Sequence, residues 1–235
     1  MSPPAYLLVF AEPGAGVSDE LFNDWYDNEH IPLRVATPTF SSWLRLDAID
    51  GQKPSYAAAY DLSSYEDTLV APYTTLAETR SEREQGIFAN SELFDRRIYD
   101  LYDKTPVPPP SSLYDPSRAP LITVFRGLDV REGAEEELTK WYLEEHIPML
   151  SKVPGWIRTR WFVLRDAGYV GVEAAKQTKK ATKFLAVHEW ADATFDTRPE
   201  FKAALETPWR GRVEKDVVGM ERRVFKARRQ WQREE

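Results

Sequence analysis

The chain contains no cysteine. Disulfides, thiolate nucleophiles, Cys-ligated zinc and iron–sulfur clusters are therefore excluded. Histidine is almost as scarce, with His30, His146 and His188 making up the whole complement of 3. No stretch approaches the roughly 18 apolar residues that a membrane span needs. The longest apolar run near the start, Tyr6 to Phe10, is short for a signal-peptide core and has no basic flank. No HExxH helix, Gly-rich phosphate loop or GxSxG elbow is present, so a dedicated metal, nucleotide or serine-hydrolase site is not expected. A net charge of −7 argues against nucleic-acid binding. These absences together predict a cytoplasmic protein with no membrane and no nucleic-acid partner. The basic residues Arg222, Arg223, Lys226, Arg228, Arg229 and Arg233 are the local exception, and they read as a solvated terminal strand and a frayed helix.

What is present is a repeat. Trp25-Tyr26-Asp27-Asn28-Glu29-His30-Ile31-Pro32 recurs 116 positions later as Trp141-Tyr142-Leu143-Glu144-Glu145-His146-Ile147-Pro148. The flanks agree: Tyr6 to Phe10 answers Leu121 to Phe125, Pro38-Thr39-Phe40 answers Pro154-Gly155-Trp156, and Arg96 to Tyr99 answers Arg222 to Phe225. A fixed period with matching flanks is the signature of duplicated units. Between the copies, residues 104–120 hold repeated proline. Proline sustains neither helix nor sheet ladder, which predicts an extended, semi-rigid linker. The expected division is 1–103 as a first repeat, 104–120 as linker and 121–235 as a second repeat.

Each repeat has the same order of signals. Apolar, β-branched and aromatic runs at 6–11 and 121–126 read as first strands. Ser18 offers an N-cap to a helix carrying Leu21, Phe22, Trp25 and Tyr26, and 132–145 is its counterpart. Pro32 and Pro148 should end these helices. Second strands are expected at 40–47 and 156–164, and third strands at 55–62 and 183–190. Second helical regions follow at 64–83 and 199–217, and fourth strands at 93–102 and 220–227. The pattern is βαββαβ, twice, in the α+β class: two ferredoxin-like units, each an antiparallel sheet with helices on one face, packed sheet to sheet.

Residues four apart share a helix face, so Tyr26 lies by His30 and Trp25 by Glu29, with Tyr142 by His146 and Trp141 by Glu145 in the second copy. An imidazole at a helix C-terminus is expected to titrate near neutrality, which suits proton transfer. A purely structural role, satisfying the last helix carbonyls, accounts for the same residues. His188 alternates with Phe184, Ala186 and Trp190 along one strand face, and Tyr60 is its first-half counterpart. Either could carry a proton. Arg158 and Arg160 alternate with Phe162 and could steady an anionic ligand, although solvated charges at a sheet edge explain them as well.

A helix ending Trp-x-x-x-x-His-x-Pro, then Pro-Gly and a strand with Arg and an aromatic, resembles the EthD-like branch of the dimeric α/β-barrel superfamily. The match runs from Trp141 through Pro148 and on through Val153-Pro154-Gly155-Trp156-Ile157-Arg158. The first half matches at Trp25, His30 and Pro32, with Thr39 where glycine is expected. The resemblance implies that two ferredoxin-like units, usually joined by dimerisation, form a pseudo-dimeric barrel within one chain, further oligomerisation being left open. It also implies a small-molecule site between sheet and helices.

The expected function is a cofactor-independent enzyme acting on a small aromatic or polyketide-like molecule by proton transfer, as a cyclase, dehydratase or decarboxylase type of lyase. His146 is the leading catalytic candidate, with His30 its first-half counterpart and His188 or Tyr60 a second proton carrier. Trp141, Tyr142, Trp161, Trp25, Tyr26 and Arg160 are the candidate substrate-binding residues. Because the superfamily includes haem-using members, the alternatives are a haem-binding protein, a cofactor-free oxygenase or a non-catalytic stress-response binding module. The asymmetry between Pro154-Gly155 with His188 and Thr39 with Tyr60 predicts one principal site, near His146.

Overall fold

The computed structural model describes residues 2–178 and 180–233. Its first half contains β1 (Ala5–Glu12), α1 (Asp19–Trp25), α2 (Ile31–Val35), β2 (Trp43–Ala48), β3 (Tyr56–Leu62), α3 (Thr75–Glu78), α4 (Glu82–Asn90) and β4 (Leu93–Leu101). The second contains β5 (Ile122–Val130), α5 (Glu135–Trp141), α6 (Ile147–Leu150), β6 (Trp156–Val170), β7 (Phe184–Trp190), α7 (Pro199–Ala204), α8 (Pro208–Val213) and β8 (Val217–Trp231). The class is α+β, as expected. The hydrogen-bonded strand order is that of a closed barrel, β1-β3-β2-β8-β5-β7-β6-β4.

The chain forms two compact units that do not follow one cut in the sequence. One contains the described residues of 1–101, 164–181 and 228–235; the other contains 102–163 and 182–227. Strands β6 and β8, at 15 residues each, are longer than the expected 156–164 and 220–227. Their distal ends belong to the first unit. There Arg96 of β4 pairs with Asp166 at 2.7 Å and Arg228 reaches Asp47 at 3.3 Å. The tail is thus ordered strand, not frayed helix. Beyond it, Arg233 donates to the Val35, Thr37 and Phe40 carbonyls at 3.0, 2.9 and 3.0 Å, satisfying acceptors just after α2.

In the first unit β1 lies between β3 and β4, antiparallel to both, and β2 pairs with β3. Alternate residues Ala5, Leu7 and Ala11 of β1 share one core with Ala58, Tyr60 and Leu62 of β3 and with Phe22, Trp25 and Tyr26. Ser18 caps α1 as expected, accepting from the Leu21 amide at 3.2 Å. Fully burying a side chain such as Phe22 contributes roughly 1.5–3 kcal/mol.

The second unit repeats the plan, with β5 between β7 and β8 and β6 on β7. Its buried apolar residues fall into two groups. One contains Leu128, Leu138, Trp141, Tyr142, Trp161 and Val213, and the other Val124, Leu150, Trp156, Trp190 and Phe195. The linker is held within this unit, where Ser111 donates from its amide to Ile157 O at 2.8 Å and from its hydroxyl to Trp156 O at 2.7 Å.

The prolines correct one expectation. Pro32 and Pro148 do not end their helices; each opens a further turn, α2 or α6. Proline lacks the N–H that would bond four residues back, but it is tolerated in a first helical turn. The chain accommodates it by widening the preceding turn. Tyr26–His30 and Tyr142–His146 are π-helical, with the Ile31 amide donating to Tyr26 O and the Ile147 amide to Tyr142 O. Single π turns of this kind are frequent at functional sites.

Candidate active site

In the second unit the π turn carries Tyr142 and His146 over β7. The two rings meet at 4.9 Å, while His146 stacks on Trp141 at 4.7 Å. Glu145 fixes Trp141 by accepting its indole N–H at 3.0 Å, and the same oxygen accepts the Thr207 hydroxyl at 2.5 Å. Beneath Tyr142, Trp161 stacks at 4.3 Å.

These residues surround a cavity of about 650 Å³. That volume lies in the usual range for small-molecule sites. Trp141, Tyr142, His146 and His188 line it with Trp190 and Phe195, and both apolar groups of the second unit contribute to its wall. Three arginines, Arg126, Arg210 and Arg222, and two acids, Asp196 and Glu214, also line it.

A polar chain runs behind this wall. Trp156 donates its indole N–H to Thr159 Oγ1 at 3.0 Å. Thr159 Oγ1 lies 3.0 Å from His188 Nδ1, and His188 Nε2 lies 3.0 Å from the Tyr142 hydroxyl. Two proton arrangements satisfy the chain, one for each imidazole tautomer. Moving between them turns the Tyr142 hydroxyl from donor to acceptor toward His188, so the chain can pass a proton to or from Tyr142.

Burial sets the charge states. It lowers His146 from the usual histidine value to about 3; Arg210 and Arg126 act in the same direction, and the Ala204 backbone opposes them. Burial also pushes His188 well down, helped by His146, Arg126 and Arg222. Burial raises Tyr142, against the pull of Arg126 and Arg210. The expectation of a histidine titrating near neutrality is therefore corrected. His146 is no longer at a helix end, and desolvation outweighs any dipole. Both histidines are neutral at pH 7.

The first unit uses the same positions differently. His30, packed edge-on or tilted among Trp25, Tyr26 and Phe88, has its Nδ1 2.6 Å from Glu84 Oε1. Burial lowers His30 well below its usual value and raises Glu84, which favours a pair without separated charges. Arg45 takes the place of Trp161 beneath the tyrosine ring, 4.2 Å from the Tyr26 centroid, and bonds Asp27 and Asn23 at 2.8 Å each. Tyr60 is buried, with its hydroxyl lacking a hydrogen-bond partner of good geometry.

Of the residues singled out from sequence, the cavity gathers Trp141, Tyr142, His146 and His188. Trp161 supports it from behind. Arg160 lies elsewhere, 3.4 Å from Glu189 and over the Phe162 ring. Trp25, Tyr26, His30 and Tyr60 form packed structure in the first unit. Sequence reasoning missed Thr159, Arg126, Arg210 and Arg222. Arg126 did leave a signal, as a charge closing the apolar run 121–125, where the matching run 6–10 is followed by Ala11.

A haem iron bound here would need an axial ligand from His146 or His188. A ligating histidine normally donates its second ring N–H to an acceptor. His146 Nδ1 is buried with no hydrogen-bond partner, and both nitrogens of His188 are engaged. His188 therefore does not fit as an axial haem ligand, and His146 is the histidine of the cavity wall whose ring carries an unengaged nitrogen. Among the described residues no group of three His, Asp or Glu could hold a metal ion, and no helix is long and apolar enough to cross a membrane.

Fold and cavity define a ferredoxin-like α+β protein with a small-molecule-sized chamber. Several solved structures share this fold. An anthrone oxidase-like protein aligns with a TM-score of 0.63 and 14% identity over 100% of this chain and 95% of its own. A monooxygenase-like protein from Fusobacterium nucleatum aligns at 0.60 and 7% identity, covering 98% and 95%. A chlorite dismutase-like protein aligns at 0.58 and 15%, covering 97% and 96%. No protein-family model and no curated protein matches the sequence.

Proposed function

We propose that the chain is a cofactor-independent enzyme that moves protons on a small aromatic or polyketide-like molecule, as a cyclase, dehydratase or decarboxylase. We also read it as a tandem-duplicated relative of the EthD-like branch with one working site. The observation that carries the reading is the Thr159–His188–Tyr142 chain, which reaches the cavity wall beside His146.

A flat substrate would lie against Trp141, Trp190 and Phe195. Neutral His146 takes a proton from the carbon next to a carbonyl, and the C–H electron pair moves to the carbonyl oxygen as an enolate. An imidazole lowered to about 3 is a weak base in the empty cavity. An enolate forming beside it stabilises the imidazolium, so the proton is held only as the anion appears. The enolate carbon then attacks a second carbonyl, whose oxygen accepts a hydrogen bond from Tyr142 and takes up the proton held by His146, which returns to neutral and leaves a β-hydroxy carbonyl. Dehydration follows if His146 removes a second α-proton and passes it to the hydroxyl, which leaves as water.

The test is exchange of α-protons for deuterium, followed by NMR, on a panel of anthrones and aryl β-diketones. The wild type should accelerate exchange for at least one member, and His146→Ala should lower the rate by about 10²-fold or more, the usual scale for a general base. Unchanged exchange in a folded His146→Ala variant would falsify the role. A Soret band on reconstitution that vanishes with His146→Ala would instead establish the haem reading.

A further inference from the structure

The cavity has a cationic strip that the proton-transfer chain does not use. Val124, Arg126 and Leu128 alternate along β5, and all three line the cavity. In the strand register Val124 faces His188 on one side and Val224 on the other. One pair further along, Arg126 faces Ala186 and Arg222. Two arginines thus stand directly opposite each other across adjacent strands. Like charges in that relation destabilise a sheet.

The neighbouring Arg210 already has its partners. Arg210 is tied to Glu214 at 2.5 Å and also donates to the Leu205 carbonyl. Asp196 and Glu214 are the acids in the wall. The Arg126 guanidinium is half-buried and makes no hydrogen bond or ion pair with any described residue. Burial and the neighbouring Arg222 and Arg210 all oppose its charge, while Tyr142 and Glu214 favour it. A guanidinium partly withdrawn from water with no protein acceptor presents its donors to the cavity, where an anion can accept them. By strand register the corresponding position in the first repeat is Val9, which packs against that unit's core.

We infer that the ligand of this cavity is an aromatic acid whose carboxylate is held by Arg126. The planar fork of arginine matches a carboxylate with two parallel bonds. The register sets where the acid group lies. It is one residue pair, about 7 Å, along the sheet from the His188 row. The reacting carbon and the carboxylate are therefore on different parts of the molecule, and Arg126 acts as a specificity-determining residue. The inference deepens the proposed function and rests on it for the aromatic part.

Binding of 2-naphthoate and of its neutral isostere 2-naphthamide, read by quenching of tryptophan fluorescence, tests the inference without any turnover. The wild type should bind the acid at least tenfold tighter than the amide. Arg126→Met should bring the acid down to the level of the amide and leave the amide within about twofold. Arg126→Lys, which keeps the charge without the fork, should retain part of the preference and guards against a misfolded Met variant. Equal binding of acid and amide by the wild type overturns the inference. So does a preference that survives Arg126→Met, or failure of both probes to bind. A clear acid preference alongside absent α-proton exchange would retain this inference and remove the proposed reaction.

Discussion

Glu84 and Arg210 occupy the same place in the two units and carry opposite charge. Each is the third residue of a short helix, and each gives its amide to the N-cap hydroxyl, Ser81 at 3.0 Å or Thr207 at 3.1 Å. Those hydroxyls in turn bond Glu29 and Glu145, both at 2.5 Å. Where Glu84 meets His30, the imidazole is locked into packed structure. Where Arg210 stands, His146 Nδ1 has no partner and a cavity is open beside it.

Restoring the carboxylate should restore the lock. Arg210→Glu, made with Glu214→Gln to avoid two acids in contact, should raise the His146 pKa by at least one unit. An opposite charge replaces a like one, and each unit corresponds to about 1.4 kcal/mol. Titration of the His146 ring protons by NMR reads this directly. A His146 that stays as low as in the wild type would mean that Arg210 does not act on it.

Removing the carboxylate from the first unit should cost stability and leave chemistry alone. Glu84→Ala leaves His30 Nδ1 buried without its partner, a loss of roughly 1–3 kcal/mol. Urea unfolding gives the number. α-Proton exchange by the folded variant should match the wild type, because His30 lies in packed structure rather than at the cavity.

How much of this could be read from sequence depends on range. The recurring Trp-Tyr…His-Ile-Pro segment, the Ser18 cap and the alternation of strands and helices along the chain needed only local pattern. The turn around His30 and His146 did not yield to it: proline reads as a stop, whereas a π turn upstream turns it into the start of a new helical turn. Arg126 and Arg210 were harder still. Arg210 sits in a six-residue helix with no usable period, and its equivalence to Glu84 appears only once the caps are superposed. The cavity exists through register and volume, which no single segment encodes.

Acid should destabilise the fold through its histidines. All three are lowered in the folded state. The unfolded chain therefore binds protons first as pH drops below about 6.5, and stability falls with it. For His146 the window runs from about 6.5 down to about 3. Its limiting slope is roughly 1.4 kcal/mol per pH unit. His146→Leu should flatten the curve of unfolding free energy against pH between 6 and 4 by up to that slope. An unchanged slope would show that His146 is not buried neutral.

Tyr142→Phe should separate relay from packing. The ring stays stacked on Trp161, while His188 Nε2 loses its partner. Stability should fall by about 1–3 kcal/mol, and any α-proton exchange that depends on product protonation should slow. His188→Gln should slow it too. The double variant should cost no more than the worse single one, since the two groups act as one unit.

Strands β6 and β8 begin in one compact unit and finish in the other. Residues 1–101 therefore lack two segments of their own unit, the described residues of 164–181 and 228–235, the second leading to Arg233, which closes on carbonyls near residue 37. Cut between the halves, the first part would be left with those carbonyls open and with Arg96 and Asp47 parted from their ion-pair partners.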